Sequence, residues 1–325
     1  MLYSSTIEYW GRMSDLTPSD FASLLVGDPE ELDVHLSLVQ RDVAIPGTKV
    51  IAHCHCLTTD GNGKVRVARL AEYMRNALTN YAIPRSRIDE AKARDAKFKD
   101  TTASTRLHYE AKSAFTDLDN SGEGGELLLY LLAERFLKIP QIMCKMDLKT
   151  SSHVHYHGAD GVYAAVDSAG LLNLYWAESK LYDNVTSAIT DCLKSLGPFL
   201  LENDSESSKR ERDLLLLRDK ADLSSEALTT ALKDYFDRSK PRSNRVRYGG
   251  IALVGFDSSI YPTDGKAAVE KLVEEATKAI SKWSEHIAKR ISEEKLESFD
   301  IHFLCIPLPS AEELRSEFKK ALGLS

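Results

Sequence analysis

The sequence predicts an α/β fold whose mixed central sheet is flanked by helices on both faces. From about residue 122 onward, strand-like and helix-like patterns follow in the order helix, three strands, helix, helical insertion, strand, helix and strand. Two late apolar runs, at residues 248–257 and 299–309, are almost continuous, as is typical of interior strands. The chain has 325 residues, of which 43% are hydrophobic and 28% charged, so it contains enough apolar material for a large core.

The first third of the chain predicts a smaller α+β region. Residues 34–57 contain two strand-like runs around a turn, and residues 65–82 have the periodicity of an amphipathic helix. Residues 85–106 are highly charged and low in apolar content, which predicts a surface helix or a connector. We therefore place a boundary in this stretch and treat residues 1–105 as a separate region. It contains no readable chemistry, and we expect it to regulate the remainder or to dock a partner.

The sequence His-Cys-His-Cys at residues 53–56 lies in the second of these strand-like runs. A strand alternates its side chains between two faces, so the two histidines lie opposite the two cysteines. A four-ligand metal site made from these residues alone is therefore not expected. The sequence predicts a half-buried strand.

Residues 106–325 are predicted to form the α/β core. A helix over residues 124–137 is apolar nearly all round, which indicates that it is buried, and a helical insertion is expected at about 201–244. The remaining periodic segments complete the sheet and its helical layers. Strands are predicted at residues 141–149, 153–167, 171–180, 248–257 and 299–309, and helices at residues 184–196 and 264–296.

The composition limits the class of protein. The net charge of −7 argues against a protein that coats nucleic acid non-specifically, because phosphate binding depends on Lys and Arg. It remains compatible with a nuclease that has an acidic metal site, keeps its basic groups in one patch, or binds DNA through a partner. The five cysteines are expected to be reduced and buried. Neither a signal-peptide pattern nor a bilayer-length apolar run is present, so we expect a cytoplasmic protein without a membrane segment.

Acidic residues recur at three predicted junctions between elements. Glu126 lies in the first turns of the buried helix, and Asp160 lies in a Gly-Ala-Asp-Gly break at the head of a strand. Glu178 and Lys180 end the next strand, on one face, because residues i and i+2 of a strand point the same way. Each feature alone has an ordinary explanation. Glu126 could simply favour the positive end of its helix, Asp160 could form a turn beside Gly161, and Glu178 with Lys180 could be an exposed ion pair. In this order, they predict carboxylates that meet at one edge of the sheet.

Such a cluster of carboxylates predicts a metal ion, because nearby carboxylates repel one another unless a cation lies between them. Oxygen ligands without His or Cys favour Mg²⁺ or Mn²⁺. The ion can polarise a phosphodiester and lower the pKa of a bound water. A lysine beside it can hold that water and balance the charge that builds on the phosphate. These are the parts needed to hydrolyse nucleic-acid phosphodiester bonds.

Three stretches around these residues resemble a known family. GEGGELLLYLL (122–132), HGADGVYA (157–164) and LYWAESKLY (174–182) resemble the helical Glu, strand Asp and E-x-K of the PD-(D/E)xK restriction-endonuclease-like nucleases. More narrowly, they resemble HamA, the nuclease subunit of the bacterial Hachiman anti-phage defence system. The close resemblance covers about residues 115–185, and Ala159 stands where the superfamily's name has Pro.

The resemblance implies a restriction-endonuclease-like core and a role for each residue of the strand motif. Asp160 and Glu178 would be ligands of Mg²⁺ (or Mn²⁺), together with the backbone carbonyl of Ser179. Lys180 would orient and activate the attacking water.

The helix carboxylate has two candidates. The resemblance implies that Glu126 binds a second metal or its water shell. Glu123 lies three residues earlier on roughly the same helical face and is the rival for that role. Glu126 is preferred because it borders the buried apolar run directly.

Two other groups of polar residues are weaker candidates. His153, His155 and His157 would share one strand face, where they could bind zinc or DNA or simply form a polar outer face. A basic segment could contact phosphate, or it could be a solvated loop. It contains Lys240, Arg242, Arg245 and Arg247.

The sequence and the resemblance together predict a metal-dependent DNA endonuclease or exonuclease, the effector subunit of an anti-phage defence complex. The resemblance implies a superfamily 2 helicase (HamB-like) as partner. This chain lacks the G-x-x-x-x-G-K-[ST] motif, so it is not expected to hydrolyse ATP itself. Two alternatives stay open: a stand-alone restriction or repair nuclease of the same fold, and a non-catalytic module that binds DNA or a partner.

Overall fold

A mixed β-sheet forms the centre of the protein. The computed structural model describes residues 16–115, 122–144, 158–201, 208–262 and 266–324. Within this part of the chain, seven strands lie in the spatial order β1-β2-β7-β6-β5-β4-β3. Their bounds are β1 (Leu36–Ala44), β2 (Val50–Leu57), β3 (Gln141–Met143), β4 (Gly161–Val166), β5 (Leu172–Tyr182), β6 (Val246–Asp257) and β7 (Asp300–Leu308).

The sheet has a parallel centre and antiparallel edges. Strands β2, β7, β6 and β5 are parallel, whereas β1 pairs antiparallel with β2, and β4 pairs antiparallel with both β5 and β3. The carboxyl ends of the four parallel strands therefore lie at one edge of the sheet. Ligands of open α/β sheets commonly bind at that edge. The predicted mixed α/β sheet is confirmed.

The strands of the first third of the chain belong to this same sheet. β2 lies between β1 and β7, with Val50 opposite Ile301 and Cys54 opposite Cys305. The predicted strand at residues 53–56 is confirmed, but its predicted half-burial is wrong, because both faces of this interior strand are covered and all four side chains are buried. The boundary near residue 105 stays a prediction.

Helices cover both faces of the sheet. Alternate residues of the central strands enter two apolar clusters: Ala177 and Leu253 pack on one face, and Trp176 and Ala252 on the other. The helices are α1 (Pro18–Ala22), α2 (Glu30–His35), α3 (Val67–Asn76), α4 (Leu78–Ala82), α5 (Arg85–Phe98), α6 (Thr102–Ser113), α7 (Glu123–Leu132), α8 (Val185–Leu201), α9 (Lys209–Lys220), α10 (Glu226–Lys233), α11 (Val269–Glu293) and α12 (Ala311–Leu322).

Different helices cover the two faces of the sheet. Helices α3, α4, α7 and α12 contribute to the first cluster, and α8 and α11 contribute to the second. As predicted from its apolar circumference, α7 is buried on nearly all sides. It continues into a π-helical turn, Ala133–Leu137, which ends at the left-handed residue Lys138. In the described chain, no helix is apolar over a length that could cross a bilayer.

The other predicted segments agree in type with the structure. The charged stretch after residue 85 forms α5 and the start of α6, and most of α5 is exposed. The predicted insertion contains α9, α10 and a 3₁₀ turn, Pro241–Arg245. The expectations for residues 145–157, which include His153, His155 and His157, lie outside the described residues.

Candidate active site

Strand β5 carries Glu178, Ser179 and Lys180 toward the carboxyl ends of the parallel strands. Glu178 lies opposite Ala252 of β6, and Lys180 lies opposite Val254. The two charged side chains share a face, as predicted, and Lys180 Nζ lies 3.3 Å from Glu178 Oε2. The Glu178 side chain is only 7% exposed and that of Lys180 22%, so this is not a solvated surface ion pair.

Asp160 is joined to β5 directly. It precedes Gly161, the first residue of β4, which lies opposite Ala177. The Asp160 N–H donates to the Ala177 carbonyl at 2.9 Å. The backbone N–H and the hydroxyl of Ser179 both donate to Asp160 Oδ2, each at 2.9 Å. The structure therefore brings Asp160 beside the Glu178–Lys180 strand end.

Ser179 holds the aspartate through its backbone N–H and its hydroxyl, and sequence reasoning missed both contacts. The sequence assigned a role only to the Ser179 backbone carbonyl, whereas its hydroxyl contacts Asp160. Strand alternation was the signal that could have found this contact, because it turns Ser179 away from Glu178 and toward the face that α7 covers. A carboxylate oxygen with two hydrogen-bond donors is held in a defined orientation.

Glu126 reaches the same region from α7. The helix approaches β5 closely at Gly125, where a Cβ atom would lie 3.1 Å from Ser179 Oγ. Glu126 follows directly, and the Tyr81 hydroxyl donates to its Oε2 atom at 2.8 Å. Glu123 is buried as well, so burial does not separate the two candidates. The preference for Glu126 stays a prediction.

The site has two sides because β5 presents alternate residues to different helical layers. Glu178 and Lys180 follow Trp176 on the α8 face, where Cys192 donates its Sγ–H to the Glu178 carbonyl at 3.3 Å. The Ser179 side chain points to the α7 face, and its hydroxyl donates to Asp160 there. Ser179 and its bond to Asp160 therefore lie on the α7 face at this end of β5, and the Glu178–Lys180 pair lies on the α8 face.

The donor atoms fit a hard divalent cation. Within the described ranges, no three His, Cys, Asp or Glu side chains are grouped closely enough to hold a metal ion. Mg²⁺ does not need such a cage, because it commonly keeps several waters and binds one or two carboxylates plus substrate phosphate oxygens. Asp160, directly before β4, and Glu178 of the neighbouring strand β5 carry carboxylate oxygens of the kind that such a site needs.

Electrostatics keep Lys180 protonated. Burial lowers the pKa of Lys180, but the carboxylates of Glu178 and Asp160 outweigh it, and the pKa is raised above its usual value. Burial and the nearby Glu178 charge also raise the pKa of the Cys192 thiol. Lys180 is therefore a cationic hydrogen-bond donor, and Cys192 is a neutral packing residue that also binds the strand backbone.

The basic segment does not form one patch beside this site. Arg242 is buried near Asp234, and Arg245 donates to the Ala169 carbonyl. Lys240 and Arg247 are exposed.

The position of Arg247 shows how far this segment lies from the acidic residues. Arg247 lies opposite Asn173 near the start of β5 and donates to its Oδ1 atom at 3.3 Å. Glu178 is five residues further along the strand, which corresponds to about 17 Å. A direct contact of this segment with a phosphate bound at Glu178 is therefore not expected.

The mixed sheet, its two helical layers and the acidic edge with a lysine are consistent with an α/β nuclease-like fold. The family model for HamA matches residues 33–322, which is nearly the whole chain. The chain therefore belongs to the HamA family, and it is a protein associated with the Hachiman defence system. The match begins before β1, so it includes most of the region that the sequence had separated. No curated protein matches the chain.

Proposed function

We propose that this chain is a metal-dependent deoxyribonuclease, the effector subunit of a Hachiman complex with a superfamily 2 helicase. The observation that carries the proposal is the meeting of Asp160 with the Glu178–Lys180 pair at the carboxyl edge of the parallel strands. Family membership supports the setting in defence. The sequence has no Walker A motif, so in such a complex the helicase would hydrolyse the ATP.

Asp160 and Glu178 would hold Mg²⁺ or Mn²⁺, with the Ser179 carbonyl and Glu126 as further oxygen donors. When bound, such an ion polarises a phosphodiester and lowers the pKa of a coordinated water. Ser179 contributes by holding Asp160 Oδ2 with two hydrogen bonds. Preorganised ligands of this kind do not have to be reoriented during the reaction.

Lys180 would bind the attacking water or a phosphate oxygen. A lysine has an ordinary pKa of about 10.4, so its ammonium group would donate a hydrogen bond and stabilise developing negative charge. Glu178 holds the ammonium group at 3.3 Å and so limits the directions in which it can point. We infer that Lys180 orients the nucleophile and neutralises charge.

The test uses the full chain, its helicase partner, ATP and labelled DNA, with Mg²⁺ or with a chelator. We expect Mg²⁺-dependent cleavage that Glu178→Gln and Lys180→Ala each reduce by about a hundredfold or more. Glu72→Gln is a matched control, because it removes one charge from an exposed ion pair with Arg69 at 2.8 Å. Cleavage that persists in the chelator, or that both site variants retain, contradicts the proposal.

The same assay separates the alternatives. Cleavage without helicase and ATP indicates a stand-alone restriction or repair nuclease. DNA retention without cleavage, at wild-type level in the Glu178 and Lys180 variants, indicates a non-catalytic binding module.

A further inference from the structure

Two buried tyrosine side chains lie beside the candidate carboxylates, on the face of the sheet that α7 covers. Tyr81 belongs to α4 and Tyr163 to β4, and both residues are 0% exposed. When tyrosines are buried, their hydroxyl groups usually have a hydrogen-bond partner. The surroundings of these two hydroxyls differ, and the roles proposed above use neither of them.

The Tyr81 hydroxyl is bound to a candidate ligand. It donates to Glu126 Oε2 at 2.8 Å. The Tyr81 ring is itself held in place, since it packs 5.5 Å from the ring of Tyr130 and 6.1 Å from that of Phe115. A rigid donor on one carboxylate oxygen restricts the rotation of the Glu126 side chain.

The Tyr163 hydroxyl lies next to the residue that follows Asp160. A Cβ atom on Gly161 would lie 2.7 Å from Tyr163 Cε2 and 3.0 Å from its hydroxyl oxygen. A side chain at position 161 would force the Tyr163 ring to shift, because the phenol ring lies against the backbone there. Among the residues that the structure describes, this buried hydroxyl has no hydrogen-bond partner.

Both phenols are close enough to the carboxylates to sense their charge. Burial raises the pKa of Tyr81 well above its usual value, and the Glu126 charge raises it further. Burial also raises the pKa of Tyr163, with added effects first from the Glu134 charge and then, more weakly, from Asp160 and Glu126. An unsatisfied buried hydroxyl against the Gly161 backbone destabilises the folded chain, and it is a donor already in place for a polar ligand at that point.

We propose that Tyr81 and Tyr163 are positioning residues for the metal site: Tyr81 orients Glu126, and the Tyr163 hydroxyl binds a water of the cation's hydration shell. This inference rests on the proposed metal dependence. Tyr81 lies in the region that the sequence had separated at residue 105. That region therefore supplies part of the candidate site.

The first experiment measures Mn²⁺ binding to the full chain by calorimetry or by the electron paramagnetic resonance of free Mn²⁺. We expect Tyr81→Phe to weaken Mn²⁺ binding about tenfold, as loss of a hydrogen-bond partner behind a metal ligand typically does.

Tyr261→Phe is the matched control for Tyr81→Phe. The Tyr261 hydroxyl is also buried and hydrogen-bonded, since it accepts from the Leu57 N–H at 2.9 Å and donates to the Pro307 carbonyl at 3.0 Å. It contacts neither Glu126 nor Asp160 in these bonds. Mn²⁺ affinity should therefore stay at the wild-type level in this variant.

Tyr163→Phe should separate stability from metal binding. Removal of a buried hydroxyl without a partner should raise the Tm of the chelator-treated protein. The same change should weaken Mn²⁺ binding about tenfold, because a water of the hydration shell loses the hydrogen bond that the Tyr163 hydroxyl donates. A purely structural role for Tyr163 does not predict changes in opposite directions.

The outcomes also separate this inference from the nuclease proposal. If Tyr81→Phe and Tyr163→Phe bind Mn²⁺ as tightly as the wild type and the Tyr261→Phe control, the inference is overturned. The nuclease proposal then depends on the cleavage assay alone. If the wild-type chain binds Mn²⁺ with the expected order of variants but cuts no DNA, the nuclease proposal fails and this inference stands. A wild-type chain that binds no Mn²⁺ overturns both.

Discussion

Neighbouring residues of one strand serve different sides of the candidate site. Glu178 and Lys180 form a mostly buried ion pair on the α8 face, while Ser179 holds Asp160 on the α7 face. The shared face of Glu178 and Lys180 could be predicted, since it follows from strand geometry alone. The hydroxyl contact of Ser179 could not, because it depends on where Asp160 lies in the folded chain.

Two adjacent glycines of α7 provide a prediction at the scale of single residues. A Cβ on Gly124 would lie 3.5 Å from the Phe318 ring, an ordinary contact, so Gly124→Ala should stabilise the protein by about 0.5–1 kcal/mol. A Cβ on Gly125 would lie 3.1 Å from Ser179 Oγ, which its bond to Asp160 holds in place. Gly125→Ala should therefore destabilise the protein by about 1 kcal/mol.

Urea unfolding of the two glycine variants measures this difference, and each variant is the control for the other. Equal stabilisation by both substitutions would show that α7 can move away from β5 without cost. It would also argue against a rigid link between the helix and the Asp160–Ser179 pair.

At the scale of elements, β2 shows how strand order decides burial. Its alternation of His and Cys is typical of a strand with one polar face, yet both faces are covered. His53 Nε2 lies 3.2 Å from His302 Nδ1 of β7, and the Asp42 N–H donates to His53 Nδ1 at 3.3 Å. The His53 and His302 side chains are thus enclosed between neighbouring strands. The local pattern could not show this, because it does not identify the strands that flank β2.

This burial predicts an acid-sensitive fold. Burial, and then the neighbouring His302, lower the pKa of His53 to about 4, and burial lowers the pKa of His55 to about 3. The unfolded chain has the usual histidine pKa of about 6.5, so it takes up these protons first as the pH falls. The stabilising contribution of the neutral histidines is complete above about pH 6.5 and is lost as the pH falls toward 4.

The measurement is the free energy of unfolding in urea between pH 7.5 and pH 5. We expect it to fall more steeply with decreasing pH in the wild-type protein than in a His53→Asn, His55→Gln double variant, which keeps polar side chains that do not titrate. Each unit of pKa depression corresponds to about 1.4 kcal/mol at the acid limit. Parallel pH profiles would mean that these histidines titrate alike in both states.

At the scale of the whole molecule, the sheet joins residues 1–105 to the rest of the chain. β2 pairs with β1 on one side and β7 on the other, and Tyr81 of α4 binds Glu126 of α7. A fragment that begins at residue 106 would lack β1 and β2 and expose the edge of β7. Unpaired edge strands favour aggregation.

We therefore expect a 106–325 fragment to be aggregated or poorly folded when produced alone. Production together with a 1–105 fragment should restore a soluble complex, because the two fragments supply adjacent strands of one sheet. Size-exclusion chromatography and far-ultraviolet circular dichroism measure both outcomes. A monomeric fragment with native-like secondary structure would show that the C-terminal part folds independently.

The sequence by itself determined the types of most elements, the order of the acidic motifs and the shared face of Glu178 and Lys180. These features follow from local periodicity and from the geometry of a single strand or helix. Only the tertiary structure decided that β2 is interior, that Arg242 is buried and that Tyr81 contacts Glu126. Those outcomes depend on strand order and on contacts between residues far apart in the chain, which a local pattern does not encode.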